Sequence, residues 1–430
     1  MNRQTDYLRL LGIIALACLM LPSLMSCSYL SIPEKDDVAS KTINPKGDNN
    51  APVYNSAVIK GRITGADKGN VSTLIIAHRL ADVSGEWAEY LAVNNSGAFM
   101  LYLPQGRYQL YTIADHNHNG TYENDEISGV YGSSFSPKEI SIRENELIAD
   151  VVIRTANPNS NQTNFSLDSV LKKKQDVVKQ ITHNGQVLKI YHDYFSPENA
   201  QTGYWHPSSF MKVFGAHIYL AEEYNPQKIP ILFVHGTEGS PQNWIYLYMR
   251  LDQSRYQPWF FYYPSGIRLS LAAALLNEEL RELQKKYGFQ KMGIVAHSVG
   301  GLTTRSFLTR FASDNQNNFI KLFVTFATPW SGFGVADASQ ILIHKSIPVW
   351  VDLGTQSPFI KTTLEDRLPP NVRHYIFYGK NDKHCGNKAT DDRAVTCAVE
   401  TFAFDCDHTS ILSDRKVFLK FNEILEKELW

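Results

Sequence analysis

Between Ser56 and Thr155 the apolar positions come in short, alternating runs. AVIKGRI, STLIIAHRL, WAEYLAV, AFMLYL, RYQLYTIA, KEISI and IADVVIR are strand-like, separated by Gly, Asn, Pro and Asp turns. A period of two, broken by turn formers, predicts the strands of a small all-β sandwich over residues 56–155. The polar run NPNSNQTN then opens a linker and lead-in over 156–203. Beyond Tyr204 the texture changes. ILFVH (231–235), PWFFYY (258–263), MGIVA, KLFVTFA and HYIFYG are continuous apolar runs, the pattern of strands buried on both faces. Between them lie longer stretches of helical period, notably Ser270–Tyr287 with Leu271, Leu275, Leu280 and Leu283 on one side, and Asp414–Lys427 closes the chain as an amphipathic helix. Strands alternating with helices predict a mostly parallel α/β sheet over residues 204–430.

The first 55 residues follow neither pattern. Arg3 and Arg9 precede the apolar run LLGIIALACLMLPSLM, and Ser26-Cys27 follows it. A basic start and a short apolar core predict a secretory signal over residues 1–26, or an uncleaved anchor; the run is short for a membrane-spanning helix. Leu24-Met25-Ser26-Cys27 resembles the bacterial lipobox. That resemblance implies a diacylated Cys27 at the head of the mature chain, and Ser28 in place of aspartate implies the outer membrane of a Gram-negative-type envelope. Residues 27–55, rich in Lys, Asp, Asn and Pro, then read as a flexible tether.

Charge removes one class of partner. Lys plus Arg number 42 and Asp plus Glu 43 in 430 residues, a formal net charge of -1, which leaves no basic footprint for nucleic acid. Of five cysteines, Cys18 lies in the signal and Cys27 in the lipobox. An exported chain meets an oxidising compartment, so one disulfide is expected among Cys385, Cys397 and Cys406, its pairing open. No CxxC or Cys/His spacing suggests zinc.

Two motifs carry chemistry. Asp115-His-Asn117-His-Asn119-Gly-Thr121-Tyr-Glu-Asn-Asp-Glu126 fits D-x-[DN]-x-[DN]-G-x5-E. Oxygen ligands at Asp115, Asn117, Asn119, Thr121 and Glu126 would suit a structural calcium ion; the same residues also make an Asx-rich turn with no metal. The preceding run is a strand, so two flanking helices are not expected. The second motif is KMGIVAHSVGGLTTR, Lys291–Arg305. It reads as a strand, a tight turn at Ser298 and a helix, with Ala296 and Gly300 as small residues two places either side.

Resemblances give these blocks a function. The run SGAFMLYLPQGRYQLYTIAD resembles carboxypeptidase-regulatory-like or transthyretin-like bacterial domains. HGTEG (235–239), AHSVGG (296–301), ATPWSG (327–332) and DDRAV…DHTSIL (391–412), in that order, resemble bacterial lipases and GPI-inositol-deacylase-like serine hydrolases. That implies an α/β-hydrolase fold and cleavage of carboxylic esters through an acyl-enzyme, with no cofactor required and a lipid or ester as substrate. By the resemblance Ser298 is the nucleophile, the backbone N–H groups of Thr237 and Val299 form the oxyanion hole, and His408 is the base. His344, His374 and His384 are the other histidines after Ser298. The acid is expected at Asp392, although Arg393 replaces the family's glycine; Asp382, in the G-x-x-D run after HYIFYG, is the alternative, and Asp391 stays open. Gly334–Thr363 reads as a cap. An acyltransferase would use the same residues with another acceptor, and a binding lipoprotein on an inactive hydrolase fold is the non-catalytic alternative.

Overall fold

The computed structural model describes residues 56–65, 73–80, 87–92, 97–117, 122–133, 136–155, 182–311, 318–334, 336, 347–385 and 389–430. All lie within one compact unit, Thr42–Trp430. The signal, Cys27, the tether, most of the linker, His344 and part of the expected cap lie outside the described residues.

Among the described residues the first region holds ten strands: β1 (Ser56–Gly65), β2 (Thr73–Arg79), β3 (Trp87–Ala92), β4 (Ala98–Pro104), β5 (Gly106–Ala114), β6 (Ile127–Val130), β7 (Gly132–Ser133), β8 (Ser136–Pro137), β9 (Ile140–Ile142) and β10 (Leu147–Thr155). Seven run in the order β3-β2-β5-β6-β10-β1-β4, and β9 also pairs with β5. The expected sandwich is therefore one continuous hydrogen-bonded network. Ile59, Leu101 and Leu103 from one end of the path share a single apolar cluster with Ile75, Leu110 and Ile142 from the other. β6 carries Ser128 and Gly129, which hid it from a pattern of alternating apolar residues. The β7–β8 hairpin stands apart.

The second region is built on a seven-stranded sheet of order β11-β13-β12-β14-β15-β16-β17. Its strands are β11 (His217–Leu220), β12 (Ile229–Val234), β13 (Tyr256–Tyr262), β14 (Met292–His297), β15 (Ile320–Phe326), β16 (Arg373–Gly379) and β17 (Glu400–Phe404). β11 is antiparallel to its neighbour and the remaining pairs are parallel. Helices cover both faces. We label them α1 (Pro197–Trp205), α2 (Pro207–Phe214), α3 (Leu269–Tyr287), α4 (Val299–Phe311), α5 (Pro358–Glu365), α6 (Asp392–Val395) and α7 (Arg415–Leu429). One buried cluster joins α3 and α4 to one face of the sheet through Leu232, Trp259, Leu276, Ile294 and Leu302. A second joins α7 to the opposite face through Phe233, Val324, Phe377, Phe421 and Leu425. α7 begins where Asp414 caps it, accepting from the N–H groups of Lys416 and Val417.

The two regions share a core. Val58, Met100 and Tyr102 belong to the same apolar cluster as Met211 of α2 and Leu275 of α3. Polar groups cross the seam as well: Lys60 of β1 is buried against Glu279 and Glu282 of α3, and Arg268 joins Glu144 to the buried Asp352.

The expected disulfide is not formed. Cys385, Cys397 and Cys406 are all thiols, because each faces different surroundings. Cys385 turns its Sγ to the Ala327 carbonyl at 3.1 Å, Cys397 is exposed just beyond α6, and Cys406 packs beside Phe377 and Leu412.

Candidate active site

The parallel register brings the separate sequence blocks together. β12 pairs with β14 so that Val234 faces Ala296, which sets His235-Gly236 beside His297-Ser298. β16 pairs with β17 so that Gly379 faces Phe404, and the loops carrying Asp382 and His408 leave neighbouring strand ends. All four segments emerge at the carboxyl edge of the sheet, where parallel α/β folds place their sites.

Ser298 sits between β14 and α4 with φ of 53°. A non-glycine residue there carries strain of about 1–3 kcal/mol, held only if the surroundings over-determine it. They do: the Ser298 N–H donates to Phe326 O at 2.9 Å and its carbonyl accepts from Gly301 N at 3.0 Å. The glycines around it are required by space. A Cβ on Gly300 would stand 2.5 Å from His235 O and 2.6 Å from Val234 O, and one on Gly236 would stand 2.7 Å from Ser298 Cβ. Glu238 (φ 51°) and Ala327 (φ 49°), on the loops after β12 and β15, share this left-handed conformation.

Ser298 Oγ is 3.0 Å from His408 Nε2, and His408 Nδ1 is 2.9 Å from Asp382 Oδ2. The other carboxylate oxygen, Oδ1, accepts from the N–H groups of His384 and Cys385 at 2.8 and 2.9 Å. Burial raises the Asp382 carboxyl, but the bond and charge of His408 and these two N–H donors outweigh it and hold it below the usual carboxylate range. With an ionised acceptor at Asp382, the Nδ1 of His408 carries the proton and Nε2 presents its lone pair to Ser298.

The structure corrects the expected acid. Asp392 does not reach His408: it is exposed at the first turn of α6. Its neighbour Asp391 caps that helix through Arg393 N and holds the Arg393 guanidinium with both oxygens, at 3.0 and 2.9 Å. The arginine standing in the family's glycine position is thus part of a local helix cap.

Two further histidines hold the loops. His297 is buried, and its Nε2 donates to His408 O at 2.8 Å; burial, with the nearby His408, lowers its pKa to about 3, so the ring is neutral. His235 accepts from Tyr263 N at Nε2 (3.4 Å), so its Nδ1 donates to Gly236 O (2.8 Å), and burial lowers its pKa to about 4. Gly239 N also donates to Gly236 O, at 3.2 Å. Because C=O and N–H of a trans peptide point in opposite directions, anchoring the Gly236 carbonyl turns the Thr237 N–H the other way. Sequence reading had no signal for either role. His374 is buried on the far side of β15, stacked on Phe323, and His384 is exposed, its ring 5.3 Å from that of His408. In the ATPWSG block Thr328 packs against Gly301, and buried Trp330 lies beside Arg305.

In the Asp115–Glu126 segment, Asn119 and Thr121 lie outside the described residues. Glu126 accepts from His116 N (3.0 Å) and Asn117 N (3.4 Å) through one oxygen and from Glu123 N (3.2 Å) through the other. Asn117 donates to Glu123 at 3.3 Å. Both oxygens of the expected chelating residue are thus engaged by backbone within the turn, and Asp115 is buried.

The sheet order, the flanking helices and the strained serine turn define an α/β-hydrolase fold. Residues 268–403 match the family described as "Alpha/beta hydrolase of unknown function (DUF915)". Among solved structures the chain is similar to the mature lipase BlEst2 of Bacillus licheniformis (21% identity, 48% of this chain and 97% of that one, TM-score 0.40). It is also similar to the lin2722 gene product of Listeria innocua (17% identity, 46% and 94%, TM-score 0.37). A thermophilic esterase of Thermogutta terrifontis, solved with butyrate, is similar at 15% identity over 49% of this chain and 88% of that one, TM-score 0.37. No curated protein matches the sequence.

Proposed function

We propose that the chain is a serine hydrolase of carboxylic esters. The observation that carries the reading is the relay Ser298 Oγ–His408 Nε2 and His408 Nδ1–Asp382, behind a serine held at positive φ. A packed serine at an ordinary turn has no need of strained backbone or of a histidine backed by a buried carboxylate.

In this reading His408 Nε2 takes the Ser298 proton as Oγ attacks the ester carbonyl, and Asp382 stabilises the imidazolium through Nδ1–H. The N–H groups of Thr237 and Val299 receive the developing oxyanion. The imidazolium then protonates the departing alcohol, leaving an ester on Ser298. Water attacks that ester with His408 again as base, and the acid is released. His297 and His235 act by position: one fixes the His408 carbonyl, the other the Gly236 carbonyl.

The test is covalent labelling with a fluorophosphonate probe. We expect one adduct on the wild type, none on Ser298→Ala, and ester turnover lost with it; a folded but unlabelled wild type would favour the binding-protein alternative. We further propose that the enzyme works at the outer membrane, tethered through a lipidated Cys27, a reading supported by the Leu24–Cys27 lipobox. Metabolic labelling with palmitate should appear in the wild type and vanish in Cys27→Ser.

A further inference from the structure

Beside the relay stands a group that ester hydrolysis does not use. Cys385 Sγ lies 3.5 Å from His408 Nδ1, on the ring edge that faces Asp382. Asp382, Cys385 and His408 each offer a ligand atom, and these atoms lie within 4.8 Å of one another. Asp382 and Cys385 are buried and His408 is nearly so, which separates the group from ordinary surface acids. Sequence spacing could not show it, since the residues come from the loops after two different strands.

We propose that Asp382, Cys385 and His408 form a binding site for a thiophilic divalent cation of the zinc or cadmium type, and that occupancy switches the enzyme off. The functional half of this inference rests on the ester-hydrolase reading; the binding half does not.

The geometry suits such an ion. With Zn–S of about 2.3 Å, Zn–N of about 2.0–2.1 Å and Zn–O of about 2.0–2.2 Å, tetrahedral coordination puts S and N about 3.5 Å apart and N and O about 3.4 Å apart. The observed separations are 3.5 Å for Cys385 Sγ to His408 Nδ1 and 2.9 Å for His408 Nδ1 to Asp382 Oδ2. Of these two pairs the second must open, by about half an ångström, while Cys385 Sγ and the Asp382 oxygen, within 4.8 Å of one another, must come to about 3.6 Å. The donor set of thiolate, imidazole and carboxylate suits zinc or cadmium over calcium or magnesium, which take oxygen ligands.

Inhibition follows from proton bookkeeping on one imidazole. Catalysis requires His408 with its proton on Nδ1 and a lone pair on Nε2. A cation binds Nδ1 only through a lone pair on that atom, so the ring proton leaves Nδ1 and Nε2 takes one up in its place. Cys385 loses its thiol proton to solvent as the metal–sulfur bond forms, and no electron is transferred. Nε2–H then faces Ser298 as a donor and cannot accept the serine proton, while Asp382 is bound to the cation and no longer orients the ring.

The experiment titrates CdCl2 into the metal-free full chain, following both the cadmium–thiolate charge-transfer absorbance in the ultraviolet and ester hydrolysis, with EDTA added last. We expect one equivalent of cadmium to raise the absorbance as activity falls, both reversed by EDTA. In Cys385→Ala, read against its own metal-free rate, the concentration for half-inhibition should rise at least about tenfold, and the absorbance at one equivalent should vanish. His408→Ala, which has no activity to follow, should weaken the absorbance titration by a similar factor, and Cys397→Ala should change neither signal. An active wild type with no stoichiometric absorbance, or a signal kept in Cys385→Ala and lost in Cys397→Ala, overturns the metal site and leaves the hydrolase reading intact. Absorbance that depends on Cys385 in a chain with no ester turnover sustains the metal site and overturns the hydrolase reading.

Discussion

At the scale of single residues, the acid of the relay is the sharpest point. Asp382 Oδ1 accepts two backbone N–H groups while Oδ2 faces His408 Nδ1. In Asp382→Asn the amide oxygen keeps the two backbone donors, so the NH2 group turns to His408 and forces Nδ1 to accept. The ring proton then sits on Nε2, the wrong side for a base. We expect kcat to fall by on the order of 10^4 with little change in melting temperature. Asp392→Asn, on an exposed helix turn, should stay within about 0.5 kcal/mol of the wild type in stability and leave kcat unchanged. The reverse result from steady-state kinetics on a short ester would return the role to Asp392. Ser298 and His408 were legible because their motifs are local: a serine among small residues, and a histidine just before the last helix. The acid was less so. Both Asp382 and Asp392 follow plausible patterns, and the choice depends on β17, a strand whose ETFAF pattern is short and half exposed. Without β17 nothing in the sequence says that the loop after β16 lies beside the loop carrying His408.

At the scale of elements, the β14–Ser298–α4 turn shows why the motif needs glycine on one side and tolerates alanine on the other. Ala296 is buried within the strand. Gly300 is wedged under the end of β12, its Cα facing the carbonyls of Val234 and His235. A methyl group there must push the loop after β12 away from Ser298. We expect Gly300→Ala to destabilise the fold by about 1–3 kcal/mol and to lower kcat more than it raises KM, because in the proposed mechanism the displaced loop carries the Thr237 N–H that receives the oxyanion. Thermal unfolding and a rate series on one ester check both; a stable variant of wild-type activity would show that the loop after β12 is not held as described. The long elements, α3 and α7, were legible from their period to within two residues at either end, with Asp414 as a visible cap. β6 and β11 were not, since a four-residue strand with a glycine, a serine or a histidine has too few positions to show a period.

At the scale of the whole molecule, the β-rich first region is bonded to the hydrolase sheet through a buried charge cluster. Lys60 of β1 meets Glu279 and Glu282 of α3, and Glu279 also accepts His217 Nδ1 at 2.8 Å. Lys60 is 8% exposed and Glu279 0%, so both ions have exchanged their water for their partners. Burial alone would raise the Glu279 carboxyl and lower the Lys60 ammonium. The opposite charges and their hydrogen bonds outweigh it, holding Glu279 below its ordinary value of 4.5 and Lys60 above its ordinary value of 10.5. The sign of the linkage follows. Glu279 contributes stability that is fully present above pH 4.5 and is lost as pH falls through its depressed native pKa; Lys60 contributes stability present below pH 10.5 and lost as pH rises through its raised one. Unfolding free energy should therefore fall at both extremes, and Glu279→Gln should flatten the acid limb. Removing one ion while the other stays buried is the severe change: we expect Lys60→Met to lose about 3–5 kcal/mol, and Lys60→Met with Glu279→Leu to regain most of it, because the one charge then left without Lys60, Glu282, has a side chain 37% exposed and keeps its water. Denaturant unfolding from neutral to acid pH, read on both variants, decides it. If Lys60→Met loses less than about 1 kcal/mol, as a solvated surface pair would, the seam is wet at Lys60, and the first region is then held to the hydrolase sheet by the apolar contacts of Val58, Met100 and Tyr102 together with the Glu144–Arg268 pair.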